Sequence, residues 1–172
     1  MNQPNIVSLT GRPFAASAIA LQAIIVNEQE QILLLNSPRR NQGWQVISGG
    51  LEAGETILDG VRREVAEEVG PEVRARPLGV IHAQTFHYDE NVRFMVGIYY
   101  LLAYEGGKIV PGDDMAGSAC RWWDPDELDD ASLHRHPTII PWMLRVQLLI
   151  PALQLAGVAA TLRRLRRWRA SA

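Results

Sequence analysis

The segment from Thr56 to Val69 constrains the fold more than any other part of the chain. Its apolar residues recur at steps of three and four, the period of a helix with one buried face: Leu58, Val61, Val65 and Val69. Gly70 and Pro71 follow directly, and proline cannot continue a helix because its ring nitrogen carries no hydrogen. We therefore predict a helix over this segment, with its apolar stripe packed against a sheet.

Apolar segments on both sides of this helix predict strands. Two of them, AIALQAIIVN and QILLLNS, form a predicted β-hairpin around EQE, and WQVIS is a short strand that leads into the glycines. Three more predicted strands follow the helix: VRARPLGVIHAQTFHY, NVRFMVGIYYLLAYEG and CRWWDP. After them, PDELDDASL begins a helix and residues 138–169 form one or two more. These elements together predict an α/β sandwich with a mixed sheet.

The charges are distributed unevenly along the 172 residues. Residues 161–172 carry five arginines and no acid, although the whole chain has a formal net charge of −2. The rest of the chain has 12 basic against 19 acidic residues, which argues against a uniformly basic nucleic-acid-binding protein. The arginine-rich tail is suited to an acidic membrane surface or RNA. The alternative, which we favour, is that it stays in water or pairs with the acidic body.

Cysteine content and hydropathy bear on the compartment. Cys120 is the only cysteine, so an internal disulfide is impossible and a reducing environment suits the chain. We interpret it as a packing residue rather than a nucleophile. The apolar stretch over residues 139–160 contains prolines and polar residues that a lipid-facing helix tolerates poorly. We therefore expect a cytoplasmic protein.

Three glutamates lie on one side of the predicted helix. At 100° per residue, Glu64, Glu67 and Glu68 fall within an arc of about 100° beside the apolar stripe. Their charges repel one another, so a purely structural helix gains nothing from this arrangement. Hard cations such as Mg²⁺ and Mn²⁺ prefer several carboxylate oxygens at one point, and Mg²⁺ held in this way commonly accompanies phosphate substrates. The spacing therefore predicts a divalent cation site.

Neighbouring residues support this interpretation. Gly49 and Gly50 allow the backbone to approach a ligand closely, where a side chain would obstruct it. Arg63 directly precedes Glu64, and its planar guanidinium is suited to hold a carboxylate in place.

The same segment resembles the signature of the Nudix hydrolases, G-x5-E-x7-R-E-U-x-E-E-x-G-U, in which U is apolar. All seven named positions agree: Gly49, Glu55, Arg63, Glu64, Glu67, Glu68 and Gly70. Val65 takes the first U, whereas Pro71 replaces the aliphatic residue at the second. The preceding hairpin, Trp44 and the later RWWDPDEL extend the resemblance over residues 15–133.

The resemblance implies an α/β/α sandwich that hydrolyses a diphosphate linked to a further group, with Mg²⁺, or alternatively Mn²⁺, as cofactor. We expect an N-terminal lead-in over residues 1–13, a Nudix domain over residues 14–135, and C-terminal helices with the basic tail over residues 136–172, packed on the same domain. The implied partner is a nucleotide-like small molecule. The family and the apolar C-terminal helices also suggest a homodimer.

By resemblance, Glu64, Glu67 and Glu68 are metal ligands, and Glu64 is the favoured base for the attacking water. Arg63 orients Glu64, and the carbonyl of Gly49 contacts the metal.

Two further acids extend this implied site. Glu55 supports the loop or binds the metal through water. Asp114, with Asp113 as second choice, is the implied acid outside the signature and the alternative base. A turn in which Asp is simply favoured is the other explanation for that segment.

The predicted substrate-binding residues are Arg39, Arg40, Trp44, Gly50, Phe86 and Tyr88. The two arginines are candidates for the far phosphate, and a solvated loop is the alternative. The two aromatic residues after the signature are candidates for contact with a base, although Tyr88 also fits an ordinary strand end.

Subfamily cues point in two directions. WQVISGG resembles the form found in dATP and dihydroneopterin triphosphate pyrophosphatases, and Tyr88, seventeen residues after Pro71, resembles the cue for dinucleoside polyphosphate hydrolases. The proline of the ADP-ribose group and the S-Q-P-W-P-F-P run of the NADH pyrophosphatases are absent. We therefore predict hydrolysis of a (d)NTP or a dinucleoside polyphosphate. The alternative is a non-catalytic nucleotide sensor, or a surface-anchored adaptor that uses the arginine-rich tail.

Overall fold

The computed structural model describes residues 5–29, 31–38, 43–112 and 115–124. These residues form β1 (Asn5–Val7), β2 (Pro13–Ala15), β3 (Ala18–Val26), β4 (Ile32–Asn36), β5 (Ile47–Gly50), α1 (Ile57–Val69), β6 (Arg74–Phe86), β7 (Met95–Gly106) and β8 (Ala119–Trp123). The predicted helices after residue 124 and the arginine-rich tail lie outside the described residues. Within the described ranges, no helix combines the length and the apolar character needed to cross a membrane.

The N-terminal segment differs from the predicted loose lead-in. β1 and β2 form an antiparallel pair, with Val7 opposite Pro13. The connection turns at Gly11, whose φ of 82° is readily adopted only by glycine, and the Ser8 N–H donates to Arg12 O across it. The Arg12 guanidinium lies 5.1 Å above the Phe14 ring. The lack of an apolar run in this segment hid the hairpin from the sequence pattern.

The mixed sheet that the sequence predicts is confirmed. Five strands follow in the order β6-β7-β3-β4-β8, and β5 pairs with β3. β3 runs parallel to β7, from the pair Ala18–Met95 to the pair Val26–Ala103. β5 pairs with the N-terminal half of β3, where Leu21 lies opposite Gly49. The glycine-containing strand is therefore held directly against a central strand of the sheet.

The sheet separates two apolar layers, because successive residues of a strand point to opposite faces. On the side that we call the helix face, three buried valines of α1 pack against β3 and its neighbours: Val61, Val65 and Val69. The predicted stripe is thus confirmed in these positions, whereas Leu58 is only half-buried. Full burial of a valine contributes about 1.5–3 kcal/mol. The opposite face carries a second cluster that includes Ile24, Tyr99 and Trp123.

Both ends of α1 are fixed by specific contacts. At the N-terminus, the Asp59 N–H donates to Thr56 Oγ1 over 3.2 Å, and the Thr56 hydroxyl donates to Asp59 Oδ2 over 2.6 Å. At the C-terminus, Gly70 has φ 104° and its N–H donates to Ala66 O. These caps determine where α1 begins and ends.

Close packing also sets the distance between α1 and the sheet. A Cβ added to Gly60 would lie 2.6 Å from Leu21 Cδ1. A larger residue at this position would require the Leu21 side chain to shift. The glutamates in the next turns of α1 are consequently carried toward β5.

Candidate functional site

Arg63 is the centre of the predicted site. Its Nη1 donates to Glu64 Oε1 over 2.7 Å and to Glu67 Oε2 over 3.0 Å. Its Nη2 donates to the backbone oxygen of Gly50 over 2.8 Å. Only 22% of the side chain is exposed, so these contacts are partly shielded from water. The predicted orienting contact between Arg63 and Glu64 is therefore present, and the same side chain also fixes the end of β5.

Arg63 also joins the helix to the loop that precedes it. Its Nε lies 2.7 Å from Glu55 Oε1, and its Nη2 lies 3.1 Å from Glu55 Oε2, a two-pronged contact. The Glu52 N–H donates to the same Glu55 carboxylate over 2.9 Å. The hydrogen bond from Arg63, and then the one from the Glu52 backbone, lower the pKa of Glu55 below its ordinary value of 4.5. Glu55 thus contacts Arg63 and its own loop, and whether it also binds a metal through water stays a prediction.

The charge of Arg63 is held firmly by these partners. Its hydrogen bond with Glu55, followed by those with Glu64 and Glu67, raises the pKa of the guanidinium above its already high ordinary value. Arg63 consequently stays cationic at any pH at which the protein is folded.

Gly49 and Glu64 are in direct contact across the gap between β5 and α1. A Cβ built on Gly49 would overlap the carboxylate of Glu64. No other residue type fits this position without moving Glu64, which is itself only 7% exposed. The glycine therefore allows a buried carboxylate to lie against the backbone of β5, next to the carbonyl that was predicted to contact a metal.

The three glutamates do not have the same surroundings. Glu64 and Glu68 are buried, with 7% and 2% of their surface exposed, whereas 41% of the Glu67 side chain is exposed. Glu68 Oε2 accepts a hydrogen bond of 3.1 Å from the Ser48 N–H. Two carboxylates thus face β5, and the third lies at the rim.

The three carboxylates do not share one hydrogen-bond donor. Arg63 donates hydrogen bonds to Glu64 and Glu67, and the Ser48 N–H donates one to Glu68. In the part of the chain that the structure describes, no three His, Cys, Asp or Glu side chains are grouped as a ready metal site. Their chemistry nevertheless suits a divalent cation, because all are hard oxygen donors and the Glu64 carboxylate lies directly against the backbone of Gly49.

Two further acids of the same segment lie outside the site. Glu52 and Asp59 are exposed. Asp59 contacts the helix cap and lies 3.9 Å from Arg62, on the water side of α1. The half-buried Cys120 packs at the edge of the helix-face cluster, and burial raises the pKa of its thiol, in agreement with a packing residue.

Two predicted substrate-binding residues lie together, and one lies apart. Phe86 ends β6, and its ring makes an edge contact with Tyr88 at 6.5 Å between centroids. Tyr88 is 50% exposed. Trp44 instead packs edge-on against Trp123 at 5.2 Å and belongs to the cluster on the opposite face. The structure therefore shows a packing contact for Trp44.

The remaining predicted residues are not described. Arg39, Arg40 and Asp114 lie outside the described ranges, as does Asp113. Their predicted contacts with phosphate or metal remain predictions.

Sequence reasoning missed one residue near this site. Gln22 stands in the middle of β3, pairs with Ser48 of β5 and is only 3% exposed. Its Oε1 is buried and accepts no hydrogen bond from any residue that the structure describes. The signal was visible, since Gln22 is the one polar side chain in AIALQAIIV.

Comparison with known proteins agrees with this geometry. Residues 17–143 match the family described as NUDIX domain. The NAD-capped RNA hydrolase NudC of Pseudomonas syringae pv. tomato is 34% identical over 113 residues, which cover 65% of this chain and 38% of that protein. The NAD-capped RNA hydrolase NudC of Photobacterium profundum is 33% identical over 109 residues, which cover 63% of this chain and 34% of that protein. The chain thus spans little more than a third of the length of these curated relatives.

Solved structures share the fold at low sequence identity. The dihydroneopterin triphosphate pyrophosphohydrolase of E. coli superposes with a TM-score of 0.56 at 21% identity, over 77% of this chain and 92% of the other. At this identity the likeness supports the architecture alone.

Proposed function

The chain belongs to the NUDIX domain family, and from this membership and the contacts of Arg63 with Glu55 and Glu64 we propose that it is a Mg²⁺-dependent pyrophosphohydrolase. Its substrate is a nucleoside diphosphate linked to a further group, and the reaction breaks the diphosphate linkage with water. The observation that carries the proposal is the contact of Glu64 with Gly49, because it brings a buried carboxylate against backbone whose carbonyl is a further oxygen donor.

The donor set fits a divalent cation. Glu64, Glu67 and Glu68 offer carboxylate oxygens, the carbonyl of Gly49 is an additional oxygen donor, and Asp114 is a further candidate. Bound Mg²⁺, or Mn²⁺ in its place, would supply positive charge to the phosphate oxygens and lower the pKa of a coordinated water.

Glu64 is the proposed general base. Its Oε1 is fixed by Arg63, and its burial keeps bulk water from competing for it. The two-pronged contact of Arg63 with Glu55 holds the guanidinium in place, so the orientation of Glu64 depends on the loop before α1. Asp114 is the alternative base.

Two substrate classes are supported by different observations. The WQVISGG segment and Tyr88 favour a (d)NTP or a dinucleoside polyphosphate. The relatives that are 33% and 34% identical over the aligned residues are named NAD-capped RNA hydrolase, and NAD contains a diphosphate between two nucleosides. Phe86 and the exposed Tyr88 offer aromatic surface for stacking in either case.

A substrate panel tests the proposal. The purified chain is incubated with dNTPs, dinucleoside polyphosphates, NAD⁺, ADP-ribose and NAD-capped RNA in Mg²⁺, and the products are identified. We expect metal-dependent cleavage of a diphosphate that Glu64→Gln abolishes and Glu72→Gln, an exposed acid beyond the helix, leaves intact.

The opposite result has a clear meaning. If no member of the panel is hydrolysed in Mg²⁺ or Mn²⁺ while a nucleotide still binds, the chain is a nucleotide sensor. If nothing binds, removal of residues 161–172 and measurement of RNA and lipid binding tests the adaptor alternative.

A further inference from the structure

The hairpin of β1 and β2 exposes several large apolar side chains. Ile6, Val7 and Phe14 are 62%, 60% and 48% exposed, and Leu9, in the turn between the strands, is fully exposed. The two strands form a sheet of their own and pack on each other far more than on any other described element. A two-stranded hairpin alone is only marginally stable in water, because it buries too little apolar surface. These exposed residues therefore indicate an interaction surface.

The register of the hairpin shows where its outer hydrogen-bonding groups point. The Ser8 N–H donates to Arg12 O over 2.9 Å, which makes these two residues a hydrogen-bonded pair. Such pairs alternate with non-hydrogen-bonded ones in an antiparallel ladder, so Val7 and Pro13 form a pair of the second kind. Asn5, two residues before Val7, follows the same rule. The backbone N–H and C=O groups of Asn5 and Val7 therefore point away from β2.

Other outer strand edges of the described chain carry features that oppose pairing with another chain. On β2, Pro13 faces outward and has no N–H to donate. β6, at one edge of the mixed sheet, contains Pro77 and three register shifts, and β8, at the other edge, carries the charged Arg121. β1 has neither a charged residue nor a proline. Among the residues that the structure describes, no strand pairs with its outer edge.

We propose that the outer edge of β1 pairs with the same edge of a second copy of this chain, antiparallel about a two-fold axis. Asn5 of each copy lies opposite Val7 of the other, and each of these pairs exchanges two backbone hydrogen bonds. This register uses every outward N–H and C=O of β1. Ile6 lies on the axis, opposite Ile6 of the second copy, in a non-hydrogen-bonded pair.

The side chains suit this assembly. Ile6 and Phe14 are paired within the hairpin and point to the same face. Pairing about the axis joins them to the same residues of the second copy in one apolar stripe across four strands. The Arg12 guanidinium lies over the Phe14 ring, on the side of the hairpin away from the axis. The two positive charges therefore lie far apart, and no charged residue of β1 lies at the centre.

The size of the edge favours a second copy over a foreign peptide. A peptide would gain only the hydrogen bonds of a three-residue strand. Between two copies, each contact occurs twice, and the hairpin becomes part of a four-stranded sheet. Residues 5–15 are nevertheless fewer than the roughly 20–30 residues that each partner contributes to a stable interface. We therefore expect a weak dimer, with a Kd on the order of 10–100 µM.

Sedimentation equilibrium of the full chain measures this assembly. Over concentrations that bracket the expected Kd, we expect the mass of the wild type to rise from that of one chain to that of two. Binding to vesicles of anionic phospholipid is measured in parallel, because an exposed apolar hairpin also suits a membrane surface. A chain that stays monomeric at every concentration overturns the proposal, whether or not it binds the vesicles.

A proline on β1 tests the proposed edge. Val7→Pro removes an outward N–H and leaves the hydrogen bonds between β1 and β2 in place. The two-fold axis repeats this loss, so we expect dimerisation to weaken about 10- to 100-fold. Ala15→Pro makes the same change on the outer edge of β2 and is the matched control, with the wild-type Kd expected. An unchanged Kd in Val7→Pro contradicts the proposal.

A cross-link keeps the test decisive if Val7→Pro unfolds the hairpin. A non-hydrogen-bonded pair on the axis brings the two Cα atoms of residue 6 to about 4.5 Å, a separation that a disulfide spans. In a Cys120→Ser background, we expect Ile6→Cys to form a covalent dimer on mild oxidation with copper phenanthroline. Leu9→Cys, fully exposed but away from the axis, should stay monomeric. Equal cross-linking of the two variants overturns the proposal.

Discussion

Arg63 and Glu55 meet in a two-pronged contact, with Nε 2.7 Å from Oε1 and Nη2 3.1 Å from Oε2. One residue lies in the second turn of α1 and the other in the loop before it, so the contact joins these two segments next to the end of β5. The guanidinium reaches Glu64 from this fixed position. The orientation of the proposed base is therefore set by residues on two separate segments.

Replacement of Arg63 tests this relationship. Arg63→Lys keeps the charge but loses the planar fork, so it cannot serve Glu55, Glu64 and the Gly50 carbonyl together. We expect kcat/KM to fall about 10- to 100-fold, as for other residues that orient metal ligands. Arg62→Lys, at a neighbouring position with 58% of its side chain exposed, is the control and should keep full activity. Equal activity of both variants would show that Arg63 has no orienting role.

The pH dependence of stability tests the Glu55 contact. Because Arg63 lowers the pKa of Glu55 below 4.5, the folded state binds the proton more weakly than the unfolded chain. The stabilisation is therefore fully present above pH 4.5 and is lost as the pH falls through the lower pKa of the folded state. We expect Glu55→Gln to unfold at a lower temperature than the wild type at neutral pH, with a difference that shrinks under acid conditions. Thermal unfolding across this range checks it, with Glu52→Gln as the control from the same loop, and a constant difference would contradict it.

The contact between Gly49 and Glu64 predicts a specific loss of metal binding. In Gly49→Ala, the new Cβ must displace the Glu64 carboxylate. We expect the affinity for Mn²⁺, measured by calorimetry, to fall about 10- to 100-fold while the fold persists. Gly50→Ala is the matched comparison, because its Cβ would meet no atom within 4 Å, and its Mn²⁺ affinity should match the wild type. A wild-type affinity for Mn²⁺ in Gly49→Ala would show that Glu64 is not a metal ligand.

Replacement of Gly70 is expected to lower the stability of the fold rather than to act on the site directly. Its φ of 104° disfavours any side chain, and a Cβ there would lie 2.8 Å from the backbone oxygen of Val110. We expect Gly70→Ala to lower the free energy of unfolding by about 1–3 kcal/mol. Gly11→Ala separates the two causes, since Gly11 has φ 82° with open space around it and should lose less. Chemical denaturation measures both, and equal losses would mean that the contact with Val110 costs nothing.

The sequence predicted the elements whose pattern is local. The stripe of Val61, Val65 and Val69 has the helical period because one side of α1 is buried along its whole length. Thr56 and Gly70 mark the ends of the helix because cap chemistry depends on only a few neighbouring residues. The strands of the mixed sheet were also visible, since buried central strands consist of continuous apolar runs, whereas the exposed pair of β1 and β2 was not.

The parts that sequence reasoning missed depend on contacts between distant segments. Nothing local to Gln22 shows that its oxygen lies beside Phe86 and Gly97, because that neighbourhood is created by the register of β3 against β7. In the same way, the sequence placed Glu64, Glu67 and Glu68 on one side of a helix. It could not show that Arg63 donates to two of them and the Ser48 N–H to the third, because the contact with Ser48 depends on the position of β5.

The parallel pairing of β3 with β7 has a consequence for how the chain folds. β3, β5 and α1 precede residue 70, but the strand that supports the other edge of β3 begins at Met95. Such distant pairing carries a large entropic cost before its contacts form, so the sheet closes late. A nascent chain that ends before residue 95 lacks the strand that pairs with the second edge of β3. The segment that contains Glu64, Glu67 and Glu68 therefore acquires its final geometry only after β7 has been synthesised.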